Sequence, residues 1–208
     1  MHPETFRKFF VHGLNGLIFA FLIYVLPVKI SLAFFIALLG IVIYFAKQIT
    51  RGKRYPILTW LVAKAERRGR PVAKGAVWYF YGVVFILTIF GLIGVPRPIL
   101  ASALLVVALG DSVSTGLGRI FGKRKLPRTK TKTWVGTSLG VLFAFVGIFL
   151  VLNLTYPVKW AFWLAFVGSV LGMTTEAYLR GPDDNFTIPV MSCAGMVITL
   201  SILTLINL

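Results

Sequence analysis

One cysteine, Cys193, stands in the whole chain, and this excludes an internal disulfide and any Cys-rich metal site. Charge is scarce too. Only 13% of the 208 residues are Asp, Glu, Lys or Arg, while 58% are hydrophobic, so there is too little polar surface to cover a water-soluble core. No polar stretch is long enough for a soluble domain, the longest connections being 47–74 and 111–135. No Gly-x4-Gly-Lys-Ser/Thr loop is present, which excludes a Walker A nucleotide site. Negative charge is the scarcer sign: six acids, against 22 lysines and arginines.

What is abundant is uncharged apolar sequence. Residues 9–28, 30–46, 75–96, 133–158, 160–175 and 185–208 contain no charged side chain, and 98–118 contains only Asp111. A helix needs about 20 apolar residues to cross the hydrocarbon of a bilayer. These runs are apolar on every face, unlike barrel strands, and predict an all-α membrane protein with about seven transmembrane helices in one polytopic domain, 1–208. The 160–175 run is short, so its helix is expected to continue past Glu176. No small-residue cleavage site follows Tyr24-Val25-Leu26-Pro27, so the first span is expected to be retained.

Seven spans put the N-terminus on the same side as the loops after spans two, four and six. Lys29, Arg97 and Lys159 lie on the opposite side, and every other cation on this one. The positive-inside rule makes the crowded side cytoplasmic and sends the C-terminus across. The net charge of +16 is thus a matter of orientation rather than of nucleic-acid binding. All six acids, Glu4, Glu66, Asp111, Glu176, Asp183 and Asp184, fall on that side as well. Orientation does not require this, because acids contribute little to topology.

Residues 47–74 mix cations with Ile57, Leu58, Trp60, Leu61 and Val62, which suits a basic segment lying in the headgroup layer. Gly136/Gly140 and Gly168/Gly172 have the small-xxx-small spacing that lets helices approach closely.

Three stretches carry chemistry. Asp111 ends an apolar helix at membrane depth, where a carboxylate is costly unless paired or holding a cation. The 111–135 stretch follows, with Gly118, Gly122, Lys123, Arg124, Lys130 and Lys132 before Gly136. Its glycines admit a phosphate, its cations neutralise one, and a helix N-terminus at Gly136 offers free amides. Then come Glu176 and the pair Asp183-Asp184. One of Asp184, Asn185 and Thr187 could cap the last helix, with Pro189 in its first turn. Paired carboxylates beside a polycationic loop also suit a divalent metal with phosphates as further ligands. Near the N-terminus Glu4, Lys8 and His12 share a helical face, with Arg7 alongside.

Together, Leu109-Gly110-Asp111-Ser112, the Gly118/Gly122-Lys123 loop, Lys132-Thr133 with Gly136-Thr137, and Glu176 followed by Asp183-Asp184-Asn185-Phe-Thr-Ile-Pro189 resemble the CTP-dependent lipid alcohol kinases. That family includes dolichol kinase, phytol kinase and the fungal type of diacylglycerol kinase. Glu4-x-x-Arg7-Lys8 and His12 resemble its opening, with His12 one residue further on, and Val135 stands where its pattern has an acid.

The resemblance implies transfer of the γ-phosphate of CTP to a lipid hydroxyl, dolichol or another polyprenol first, with Mg²⁺ or another divalent cation. It implies Asp111, Asp183 and Asp184 as catalytic and Asp111, Glu176, Asp183 and Asp184 as metal ligands. Gly118, Gly122, Lys123, Arg124, Lys130, Lys132, Thr133 and Gly136 would bind nucleotide, with Ser112, Asn185, Arg7, Lys8 and His12 contributing. The implied partners are CTP, a membrane lipid alcohol and the bilayer. Gly118 to Trp134 is also similar to phosphatidate cytidylyltransferases, but that family's His-Gly-Gly followed by Asp-Arg is missing. A transporter would need ionisable groups in mid-membrane.

Overall fold

The computed structural model describes residues 13–56, 71–127, 129, 131–179 and 183–206. The N-terminal Glu4, Arg7, Lys8 and His12, residues 57–70 of the interfacial segment, and Lys130 lie outside the described residues. Among the described residues seven helices follow one another: α1 Leu14–Val25, α2 Val28–Thr50, α3 Lys74–Gly91, α4 Arg97–Phe121, α5 Trp134–Leu152, α6 Val158–Tyr178 and α7 Asp184–Leu205. There are no strands among the described residues. Helices α2 to α7 are long and apolar enough to cross a membrane, and α1 is a twelve-residue apolar helix as far as it is described. The protein is an all-α, multi-pass membrane protein.

The helix starts follow local chemistry. Prolines stand before Val28, Arg97 and Val158, at Pro27, Pro96 and Pro157, where a fixed φ and a missing N–H suit a helix entrance. As expected, α6 carries on past Glu176, to Tyr178. Pro189 falls in the second turn of α7 rather than the first, because α7 begins at Asp184.

Helix α4 is the axis of the bundle: 89% of its apolar window is buried, against 17% for α2. It packs against α1, α5, α6 and α7. The bundle's outer surface is apolar, with Phe21, Ile36, Leu142, Leu150 and Ile198 exposed, as lipid contact requires. Between α4 and α5 the contact is made by small residues on both sides. Gly110, Ser114 and Gly118 recur every four residues on α4, and Gly136, Gly140 and Ala144 face them from α5. A Cβ on Gly136 would lie 2.6 Å from the Ser114 carbonyl oxygen and 2.8 Å from Gly118 Cα. Backbones that close need glycine, as the spacing of Gly136 and Gly140 predicts.

Antiparallel neighbours give the bundle two ends. At one lie Val25, Val28, Gly91, Arg97, Leu152 and Val158, where the Arg97 guanidinium donates to the Val25 carbonyl at 2.9 Å and closes the C-terminus of α1. At the other, the basic end, lie Thr50, Lys74, Phe121, Trp134, Tyr178 and Asp184.

Candidate functional site

Asp111 does not end its helix. The chain continues helically for ten residues, Ser112–Phe121, so the first part of the expected 111–135 loop is helix. Gly118 reads as a loop glycine in sequence, yet the close approach of α5 is what it serves. Asp111 closes a wide π-type turn, Val106–Asp111, inside α4 and is 2% exposed. Such turns insert one residue into a helix and often accompany functional positions. Counted from Arg97 at 1.5 Å per residue, Asp111 sits about 21 Å into the bundle.

Glu176, near the end of α6, is 4% exposed and faces the same place. The two carboxylates are joined by one cation from the loop between α4 and α5. Lys132 Nζ donates to Glu176 Oε1 and lies 3.9 Å from Asp111 Oδ1. Two hydroxyls on successive residues of α4 complete the arrangement. Ser114 Oγ donates to Glu176 Oε2 at 3.1 Å, and Thr115 Oγ1 to Asp111 Oδ1 at 3.3 Å. Asp184 lies close enough for its charge to act on Lys132.

Burial works against the Lys132 ammonium. The charges of Glu176 and Asp111, the hydrogen bond to Glu176 and the charge of Asp184 more than offset it, and hold the lysine above its ordinary value. It is therefore an ammonium throughout the physiological range. Buried charges persist only when paired and hydrogen-bonded, and Asp111, Glu176 and Lys132 satisfy that requirement together.

The loop that delivers Lys132 is closed at its base. Trp134 N donates to the Arg124 carbonyl at 3.1 Å, Lys125 and Thr133 pair as an isolated antiparallel bridge, and Leu126 N donates to the Lys132 carbonyl at 3.0 Å. Leu126 is buried and anchors the turn, while Lys123, Arg124 and Lys125 are exposed. Thr133 caps α5, accepting from Gly136 N at 3.1 Å. The expectation of free amides at this helix start is thereby corrected: those of Trp134, Gly136 and Thr137 are all engaged within the chain. Gly122, also expected to cradle phosphate, packs against the Thr133 side chain and the Gly118 carbonyl.

The second acidic stretch divides. Asp183 is the N-cap of α7, its Oδ1 accepting from Asn185 N at 3.2 Å, a role expected of Asp184, Asn185 or Thr187. Asn185 donates from Nδ2 to the Gly75 carbonyl at 3.2 Å and ties α7 to the start of α3. Ser112, at 1% exposure, is buried in α4 beside Asp111. Among the described residues no three His, Cys, Asp or Glu side chains are grouped closely enough to hold a metal by themselves. The expected four-carboxylate set is thus not assembled. Lys132 bridges two of its members and Asp183 is turned to a helix cap.

Ser114 and Thr115 escaped the sequence reading. The signal was present, since they lie three and four residues after Asp111 and share its helical face. The chain matches no protein-family model, no curated protein and no solved structure.

Proposed function

We propose that this protein is a CTP-dependent kinase of a membrane polyisoprenoid alcohol, of the dolichol or polyprenol type, with its site at the cytoplasmic surface of the membrane. One observation carries the reading. Two buried carboxylates from different transmembrane helices, Asp111 and Glu176, converge on a lysine from a polycationic loop. Such groups inside a membrane domain are functional by default, because hydrocarbon penalises them heavily.

Phosphoryl transfer asks mainly for positioning and for neutralisation of charge on the phosphates. The lipid hydroxyl oxygen would attack the γ-phosphorus, the bond to the bridging oxygen would break, and CDP would leave. The hydroxyl proton would pass to a carboxylate of the Asp111–Glu176 pair. Ser114 and Thr115 orient that pair, Lys132 holds it from the loop, and the exposed Lys123, Arg124 and Lys125 would face the phosphates.

Mg²⁺ ordinarily takes one or two protein carboxylates and fills its other positions with phosphate oxygens and water. Asp111 and Glu176 fit that donor set, with Asp184 close by. When bound, the ion would offset the charge on the transferring phosphoryl group. Asp111 belongs to the central membrane-spanning helix and Lys132 to a loop at its basic end, so the proposed site would lie between the membrane interior and the water on that side. The cation-rich end faces the cytoplasm under the positive-inside rule.

The test is γ-phosphate transfer in lipid nanodiscs from labelled CTP and from labelled ATP, to a polyprenol, a phytol-like alcohol and diacylglycerol. The expected result is a labelled polyprenyl phosphate with CTP, reduced at least a hundredfold in Asp111→Asn and Glu176→Gln. Release of pyrophosphate with a CDP-lipid product would overturn the reading in favour of cytidylyl transfer, and absence of transfer to all three alcohols would overturn it outright.

A further inference from the structure

We infer that Lys132 is an exchangeable internal cation: its ammonium fills the divalent-cation position between Asp111 and Glu176, and a divalent ion entering there displaces it toward the incoming phosphate. The inference deepens the proposed function and rests on its placing of a metal at these carboxylates.

Geometry carries the argument. Lys132 contacts both carboxylates at once, from a loop that belongs to neither of their helices. A cation is therefore already held at the point where oxygens of α4 and α6 converge. A lysine ammonium is a compact charge on a flexible four-carbon stem, able to leave without moving its backbone. Here the backbone is pinned, since the Lys132 carbonyl accepts from Leu126 N at 3.0 Å and from Thr129 Oγ1 at 3.3 Å. The side chain is not enclosed to the same degree: 19% of it is exposed, against 2% for Asp111 and none for Glu176. Rotation about the stem takes Nζ from the buried pair to the solvent side, where Lys123, Arg124 and Lys125 already lie.

Charge decides which occupant wins. A divalent ion brings twice the charge of an ammonium to the Asp111–Glu176 pair, and the charge of Asp184, which acts on Lys132 as well, adds to the attraction. Such an ion also takes carboxylate oxygens as inner ligands. The freed ammonium then gains phosphate oxygens as acceptors in place of carboxylate ones. Without a metal, the Lys132 ammonium offsets repulsion between the two buried carboxylates. One residue thus serves the resting site and the loaded one.

The experiment uses the full chain in nanodiscs with Mn²⁺ and no nucleotide, reading free Mn²⁺ by electron paramagnetic resonance. Lys132→Met is expected to bind Mn²⁺ at least tenfold more tightly than wild type, and Lys132→Met/Glu176→Gln is expected to lose that gain. Equal or weaker binding by the single variant overturns the inference, as does a gain that survives in the double variant. A second measurement needs no variant. Acetylation of Lys132 in the wild-type chain, followed by mass spectrometry, is expected to speed up several-fold with saturating Mn²⁺ while Lys123 and Lys125 do not change. An unchanged Lys132 rate overturns the exchange. Exchange without phosphoryl transfer would sink only the kinase reading, and transfer without exchange only this one.

Discussion

Replacing Gly136 with alanine tests the link between helix packing and the site, because the added methyl has no space to enter. Its Cβ would lie 2.6 Å from the Ser114 carbonyl oxygen, 2.8 Å from Gly118 Cα and 2.9 Å from Thr133 Oγ1. Two of these atoms are backbone of α4 and the third is the cap of α5, so no flexible side chain can yield. Ordinary contact begins near 3.4 Å, and α4 and α5 would have to part by about 0.8 Å. Overpacking of this kind costs about 1–3 kcal/mol. For a chain of this size that lowers Tm by about 2–12 °C. Gly40→Ala is the matched control, since nothing lies within 4 Å of a Cβ there, and alanine's better helix propensity makes it neutral or slightly stabilising. The assay is thermal unfolding in detergent followed by tryptophan fluorescence. Parting the helices also pulls Ser114 from Glu176 and shifts Lys132, next to the Thr133 cap, so turnover is expected to fall with stability. Indistinguishable Tm values for Gly136→Ala and Gly40→Ala would refute the reasoning.

Topology is open to direct labelling. Lys53→Cys and Lys125→Cys are expected to react with impermeant maleimide only from the cytoplasm and Leu154→Cys only from outside, against a silent background because Cys193 is buried. Labelling of Lys53→Cys and Lys125→Cys from outside would invert the protein. At the α7 cap, Asp183→Asn is expected to keep wild-type stability and to change turnover by less than tenfold, because asparagine caps as well as aspartate does. Asp183→Ala should lose about 1 kcal/mol, measured by the same unfolding assay. A hundredfold loss of turnover in a stably folded Asp183→Asn would return that carboxylate to the chemistry.

The spans were legible because the length of an apolar run is a local property, and a bilayer acts on it without reference to neighbours. Thus 160–175 could be extended past Glu176 from its length alone, and α6 ends at Tyr178. The site was legible as a set of residues but not as an arrangement. Lys123 and Lys132 have the same chemistry in sequence, and only the fold of the loop sends one to solvent and the other to Glu176. Glycine was ambiguous for the same reason. Gly118 before a basic stretch suggests phosphate, whereas Gly118 four residues after Ser114 suggests a helix crossing, and the partner that decides between them is 18 residues away at Gly136. Asp183 and Asp184 differ only in which begins the helix, a matter of one residue.

The wide turn at Val106–Asp111 means that α4 is two helices sharing one axis but not one phase. The half before it presents Ile99, Leu100, Ala103 and Leu104 to the core, and the end of the turn and the half after it present Gly110, Ser114 and Gly118 to α5. A π-type turn stores one residue more than a regular helix of the same rise. Deleting a single residue between Val106 and Gly110 would therefore leave a regular helix with both halves still facing their partners. Keeping that residue but drawing the turn into regular helix would instead rotate everything beyond by about 100° relative to the first half. Asp111, Ser114 and Thr115 would leave Glu176 and Lys132 without any change in composition, apolar length or charge. The meeting of these side chains is written in the phase of one helix, to which hydropathy is blind.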